Sequence, residues 1–177
     1  MKYHAPYAPQ IMEIATAISG SGQVVGYNIF YSDPNATFRA FLYSNGSMKE
    51  IHSPSLFPAG TIPYGTNGSG QVVGEGLVTS STFHVFLYSG GRMVDLGTLG
   101  GFQASASAIN DSGQIVGYAA IPGQHHPFLY TIGGSLTDLG LNDAFGGTWP
   151  WVMPTGISPT GDIVGIAGGT KKSNCTN

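Results

Sequence analysis

The chain has 177 residues, a formal net charge of −3 and only 8% charged side chains. Its six Lys and Arg are scattered and make no basic stripe, which argues against a nucleic-acid surface. A 41% hydrophobic content argues against disorder, while 28 Gly and 11 Pro point to one domain with many tight turns.

Met1 to Pro6 carry no apolar signal-peptide core, and no apolar run is long enough to cross a bilayer. The expectation is either that export follows another route or that a leader precedes these residues. The stretch Tyr3 to Ile14 is a candidate donor of closing strands, since Ile11-Met12-Glu13-Ile14 loosely resembles the later Met48-Lys49-Glu50-Ile51. From here on, one pattern repeats. Gly22-Gln23-Val24-Val25-Gly26 opens the first copy, followed by Phe41-Leu42-Tyr43 and Met48-Lys49-Glu50-Ile51. The second copy has Gly70-Gln71-Val72-Val73-Gly74, Phe86-Leu87-Tyr88 and Met93-Val94-Asp95-Leu96. A third has Gly113-Gln114-Ile115-Val116-Gly117, Phe128-Leu129-Tyr130 and Leu136-Thr137-Asp138-Leu139. The fourth has only Gly161-Asp162-Ile163-Val164-Gly165 before the chain runs out past Gly169. Approximate repeats are 15–60, 61–103, 104–150 and a partial 151–170, with 1–14 as closing strands and 171–177 as a tail holding the single Cys175.

The central copy shows what each repeat folds into. Ala106 to Ile109 alternates, Asn110-Asp111-Ser112-Gly113 is turn chemistry, and Ile115 to Tyr118 returns as a β-branched strand. Pro127 to Tyr130 and Leu136 to Leu139 supply two more strands across Gly133-Gly134. Each copy is therefore a four-stranded antiparallel unit, and no useful helical period occurs. One such sheet cannot cover its own apolar face, so copies must stack. Units of this size are propeller blades. The fold expected is an all-β, propeller-like array, with four blades if the N-terminus closes the ring, or else an open arc completed by dimerisation.

The run from Met93 to Tyr130 resembles the HAF-type extracellular repeats. The resemblance rests on Asp95-Leu96-Gly97-Thr98-Leu99-Gly100-Gly101, Ala108-Ile109-Asn110, Gly113 to Gly117 and Phe128-Leu129-Tyr130. The copies together cover about nine tenths of the chain. The His-Ala-Phe that names the family is replaced by Arg39-Ala40-Phe41, His84-Val85-Phe86 and His126-Pro127-Phe128. This resemblance implies a bacterial protein at the cell surface or exterior and implies no reaction.

No metal or cofactor site is expected from His4, His52, His84, His125 and His126. His84 and His126 hold equivalent places in different blades, and the neighbours His125 and His126 point to opposite faces. Glu50, Asp95 and Asp138 are equivalent acids, expected to fix the turn after their strand, with Thr98 in that turn. Five Asn-x-Ser/Thr sequons, at Asn35, Asn45, Asn67, Asn110 and Asn174, read as turn chemistry. The candidate ligand-binding residues are the aromatics Tyr64, Phe145, Trp149 and Trp151, expected in longer loops, where they either stack on a ligand or fill the gap between first and last blades. The function expected is noncatalytic binding or scaffolding of a carbohydrate or a surface protein. The alternative is a hydrolase or lyase acting on polysaccharide, which would need two carboxylates in one cleft.

Overall fold

The structure, a computed structural model, describes residues 11–32, 35–121, 124–141 and 149–169. Among these, fourteen strands form three four-stranded meanders and one further hairpin. Blade 1 comprises β1 (Ile11–Ile18), β2 (Val24–Ser32), β3 (Asn35–Ser44) and β4 (Ser47–Glu50). Blade 2 comprises β5 (Gly60–Thr66), β6 (Val72–Leu77), β7 (Phe83–Ser89) and β8 (Arg92–Gly97). Blade 3 comprises β9 (Gln103–Ile109), β10 (Gln114–Ile121), β11 (Gln124–Thr131) and β12 (Thr137–Asp138). The last hairpin is β13 (Trp151–Ile157) and β14 (Ile163–Gly168). Within each unit successive strands pair antiparallel, and single parallel bridges, Phe38 to Gly60, Phe83 to Gln103 and His125 to Trp151, join one unit to the next.

The repeated pair of β-branched residues explains the stacking. Neighbours on a strand face opposite ways, so Val72 turns back onto blade 1 and Val73 forward onto blade 3. Val72, Phe86 and Tyr88 pack with Val25 of blade 1. Val73 and Leu87 pack with Ile115, Phe128 and Tyr130 of blade 3. Both residues of the pair in blade 2, and both in blade 3, are fully buried.

A second regularity is a bulge in every first strand. The ladder skips one residue between Ala15 and Ala17, Pro63 and Gly65, Ala106 and Ala108, and Pro154 and Gly156. The skipped residues are Thr16, Tyr64, Ser107 and Thr155. Opposite each bulge stands the last glycine of the repeated pentapeptide. At Gly117, an added Cβ would meet the Ser105 carbonyl, the Ala106 Cα at 2.7 Å and the Phe128 ring at 2.8 Å. The repeat keeps glycine there because the bulged backbone occupies the space of a side chain.

The turns between first and second strands interlock the blades. Gly22, Gly70, Gly113 and Gly161 all have positive φ, which closes a turn whose first residue caps its last. Asn67 Oδ1 accepts from the Gln71 amide at 3.1 Å, and Asn110 Oδ1 from the Gln114 amide at 2.9 Å. The free side of each carboxamide then reaches the next blade: Asn67 Nδ2 donates to the Asn110 carbonyl at 3.1 Å, and Asn110 Nδ2 to the Ser158 carbonyl at 2.9 Å. At the last turn the relay stops, since Ser158 carries no amide. Asp162 there accepts from the hydroxyls of Thr160 and Ser158, which hold its carboxyl below the usual range. Asn67 and Asn110 are buried and use the nitrogen that a glycan would need, so these two sequons are structural.

One expectation changes for the described part of the N-terminal segment. Ile11 to Ile14 pair with Tyr27 to Phe30 as the first half of β1. They belong to blade 1 and are not closing strands, because their alternation continues straight into Ala15 to Ile18; the rest of that segment, residues 1–10, lies outside the described residues. Among the described residues the hydrogen-bonded path runs from β1 to β14 and no pairing links its ends.

Candidate functional site

The repeat makes departures from it visible. The residue after the pentapeptide is Tyr27, Tyr118 and Ile166 in three copies, but Glu75 in blade 2. The bulge residue is Thr16, Ser107 and Thr155 in three copies, but Tyr64 in blade 2. These two exceptions touch each other. The Tyr64 hydroxyl donates to Glu75 Oε1 at 3.0 Å, because the bulge turns Tyr64 out of the ladder and toward β6. Ser105, buried on β9, lines the same groove as Glu75 and favours the charged form of its carboxyl.

Around this pair blades 2 and 3 and the last hairpin leave two adjoining grooves. One, of about 220 Å³, is lined by Glu75, Phe83, Gln103, Ala104, Ser105 and Tyr118. The other, of about 330 Å³, has Tyr64 and Tyr118 among its walls, Ala106 and Ser107 on β9, and Met153 to Thr155 with Ile166 from the last hairpin. Ser105 and Tyr118 are shared. The lining of these two grooves holds one carboxylate, Glu75. No group of three or more His, Cys, Asp or Glu suited to a metal ion occurs among the described residues.

Burial holds the Glu75 carboxyl above its ordinary 4.5, against the smaller opposing pull of Tyr64 and Ser105. Burial, and then the Glu75 charge, raise the Tyr64 phenol; the same two causes raise Tyr118. An acid whose pKa is raised in the fold keeps its proton to higher pH than the unfolded chain does. Its contribution therefore favours the fold at low pH and is lost as pH rises from about 4.5 through the raised value. Glu75→Gln is expected to flatten stability across that window and to be more stable than the parent at neutral pH. Urea unfolding at about pH 4 and about pH 7 reads this; parallel profiles for the two proteins would refute it.

The other sequence candidates lie elsewhere. Trp149 is half-buried, and its backbone amide donates to the Leu141 carbonyl at 2.9 Å. Trp151 is not in a loop: it opens β13, half-buried beside His125 of blade 3, with its indole over the bare backbone of Gly168. It therefore packs inside the last hairpin. Phe145 lies outside the described residues. Of the four, Tyr64 lines the groove.

The outer rim explains the histidines and acids together. His84 Nδ1 pairs with Asp95 at 2.9 Å and His126 Nδ1 with Asp138 at 2.8 Å; Arg39 and Glu50, at the same places in blade 1, approach to 3.7 Å. Asp95 and Asp138 also accept from the amides of Gly97 and Gly140, each at 2.7 Å, so they do hold the turn after their strand. Thr98 joins that turn, accepting from the Gly100 amide and donating to the Gly101 carbonyl. What the sequence did not reveal is that each basic side chain and its acid face one another across a single hairpin.

No family model and no curated protein matches this sequence. Among solved structures the chain is similar to the β-propeller domain of the Trilobed protease from Pyrococcus furiosus, described as having an open velcro topology. The TM-score is 0.54 at 11% identity, over 92% of this chain and 53% of that one. The fold is thus of β-propeller type, and the chain spans about half the length of the propeller it matches.

Proposed function

We propose that this chain is a noncatalytic binding module of the cell exterior that takes a carbohydrate in the paired grooves beside Tyr64, Glu75 and Tyr118. The observation that carries this reading is the pairing of two phenol rings and hydroxyl groups along a cleft of about 330 Å³ with one carboxylate in the adjoining groove of about 220 Å³. Sugars present apolar C–H faces and rings of hydroxyls; tyrosine rings stack on the first, while Glu75, Ser105 and Ser107 offer partners to the second. The cleft is at the small end of the usual ligand-site range of about 300–1,000 Å³, a size suited to one or two sugar rings. The repeat argues in the same direction, because Tyr64 and Glu75 break the pattern of the other copies at two touching positions, where packing alone needs neither. An exterior setting is what the resemblance to HAF-type repeats implies.

A glycan array followed by titration calorimetry tests the reading. Retention of a saccharide is expected without any product. Tyr64→Ala and Tyr118→Ala are each expected to weaken binding by about tenfold or more, the loss of roughly one stacked ring. An array with no retained glycan, or full affinity in both variants, sinks the proposal. Release of shortened or unsaturated sugar would instead favour the polysaccharide hydrolase or lyase, with Glu75 the acid to examine first.

A further inference from the structure

We propose that Asn45 is a site of spontaneous covalent modification, converting through a succinimide with Gly46 to aspartate and isoaspartate, and that the fold shields the other Asn-Gly pair, Asn67-Gly68, from the same reaction. The sequence holds these two pairs and no third. In such a pair the main-chain nitrogen after the asparagine attacks the side-chain carbonyl carbon. Glycine leaves that nitrogen open to the approach because it has no Cβ. Hydrogen bonds that fix either the carboxamide or the nitrogen keep the two from meeting.

At Asn67 both partners are held. Its Oδ1 accepts from the amides of Ser69 and Gln71, each at 3.1 Å. Its Nδ2 donates to the Gln71 side chain at 2.6 Å and to the Asn110 carbonyl at 3.1 Å. The nitrogen that would attack, the Gly68 amide, donates to Asp111 Oδ1 at 2.8 Å. Asn67 is also only 3% exposed.

Asn45 has none of this. Asn45 and Gly46 form the two-residue tip between β3 and β4, both exposed and both left-handed, with φ of +52° and +77°. Among the described residues no hydrogen bond holds the Asn45 side chain or the Gly46 amide, and a Cβ added at Gly46 would meet open space. Only the turn's own geometry separates the reacting groups, and an exposed hairpin tip opens at little cost. This openness belongs to the repeat and not to a place in the first blade. The equivalent tip of blade 2, Gly90-Gly91, is exposed as well, although blades 1 and 3 pack on either side of it.

The reaction needs only water and hydroxide. Hydroxide takes the Gly46 amide proton, the nitrogen bonds to Asn45 Cγ, and the Cγ–Nδ2 bond breaks; the leaving nitrogen takes a proton from water and departs as ammonia. Water then opens the ring at either carbonyl, giving aspartate or isoaspartate. Isoaspartate adds one carbon to the main chain of the loop, which loosens the Ser44–Ser47 pairing at the start of β4.

Incubation of the full chain in mildly alkaline buffer, followed by peptide mapping with mass spectrometry and enzymatic detection of isoaspartate, tests the proposal. In the folded protein Asn45 is expected to convert at least about tenfold faster than Asn67, and in urea the two rates are expected to approach each other to within about twofold. Asn45→Gly, which copies Gly90 of blade 2, is expected to keep the β-type circular dichroism spectrum and to lose the isoaspartate signal. Three results overturn the proposal: equal rates at the two sites in the folded protein, an Asn45 that stays intact when folded yet converts in urea, or an isoaspartate signal that survives in Asn45→Gly.

Discussion

Gly117→Ala is expected to destabilise the protein by about 3 kcal/mol, at the upper end of what overpacking usually costs. A single methyl group has this effect because of what would have to move. The Ser105 carbonyl and the Ala106 Cα are backbone of the bulged first strand, and that strand is tied to β10 on both sides of the bulge. The third neighbour, Phe128, is fully buried and packs in the core shared by blades 2 and 3. None of the three can retreat into solvent. Gly133→Ala is the control. Gly133 has φ +88° and open space where a Cβ would be, so its variant carries only the penalty of a left-handed backbone, about 1 kcal/mol. Urea unfolding of both variants measures the difference. Equal losses would mean that the bulges are tolerant, and the recurring glycine would lose its explanation.

The second large effect is expected at Asn110, where the isosteric change should hurt more than truncation. Its carboxamide accepts from Gln114 and donates to the Gln114 side chain at 2.8 Å and to the Ser158 carbonyl at 2.9 Å, in a site only 5% exposed. Asn110→Ala removes these bonds at about 2 kcal/mol. Asn110→Asp keeps the shape and the acceptor but turns the donor into a second acceptor facing two oxygens, for about 3 kcal/mol at neutral pH. The introduced carboxyl should keep its proton in the fold beyond its ordinary range. Stability of Asn110→Asp is then lost as pH rises and regained as it falls, while Asn110→Ala shows no such recovery. Thermal unfolding at two pH values distinguishes them. A harmless Asn110→Asp would show that the relay between blades contributes nothing.

The rim and the grooves show how far a sequence reading reaches. Of the acids Glu50, Asp95 and Asp138, the last two were readable as turn-fixing because the hydrogen bond that Asp95 accepts from the Gly97 amide spans only two residues. Their pairing with Arg39, His84 and His126 spans eleven or twelve residues across a hairpin, and it emerges only once the register of third and fourth strands is known. Tyr64 was readable as an unusual aromatic, but its hydroxyl-to-carboxylate contact depends on a bulge that no local pattern announces. Glu75 and Tyr118 went unselected. The signal was present in the sequence, at the position after each pentapeptide, but it requires comparing copies for their differences as well as their likeness. The Trp149-Pro150-Trp151 segment misled for the opposite reason: tryptophans in a Gly- and Pro-rich stretch look like loop residues, and Trp151 is instead part of the ladder.

What the residues determined alone is the local plan of one copy: the strands, their order, and the glycine turns between them. Alternation and turn chemistry act over a few bonds, so they leave their mark in adjacent letters. The tertiary structure alone decided which side of each Val-Val pair meets which neighbour, where the bulges fall, and that Tyr64, Glu75, Ser105 and Tyr118 share one cleft. It also decided that β1 and β14 remain apart among the described residues. Those outcomes depend on the angle between packed sheets, which accumulates from many side-chain contacts distant in sequence. No short run of letters encodes such an angle.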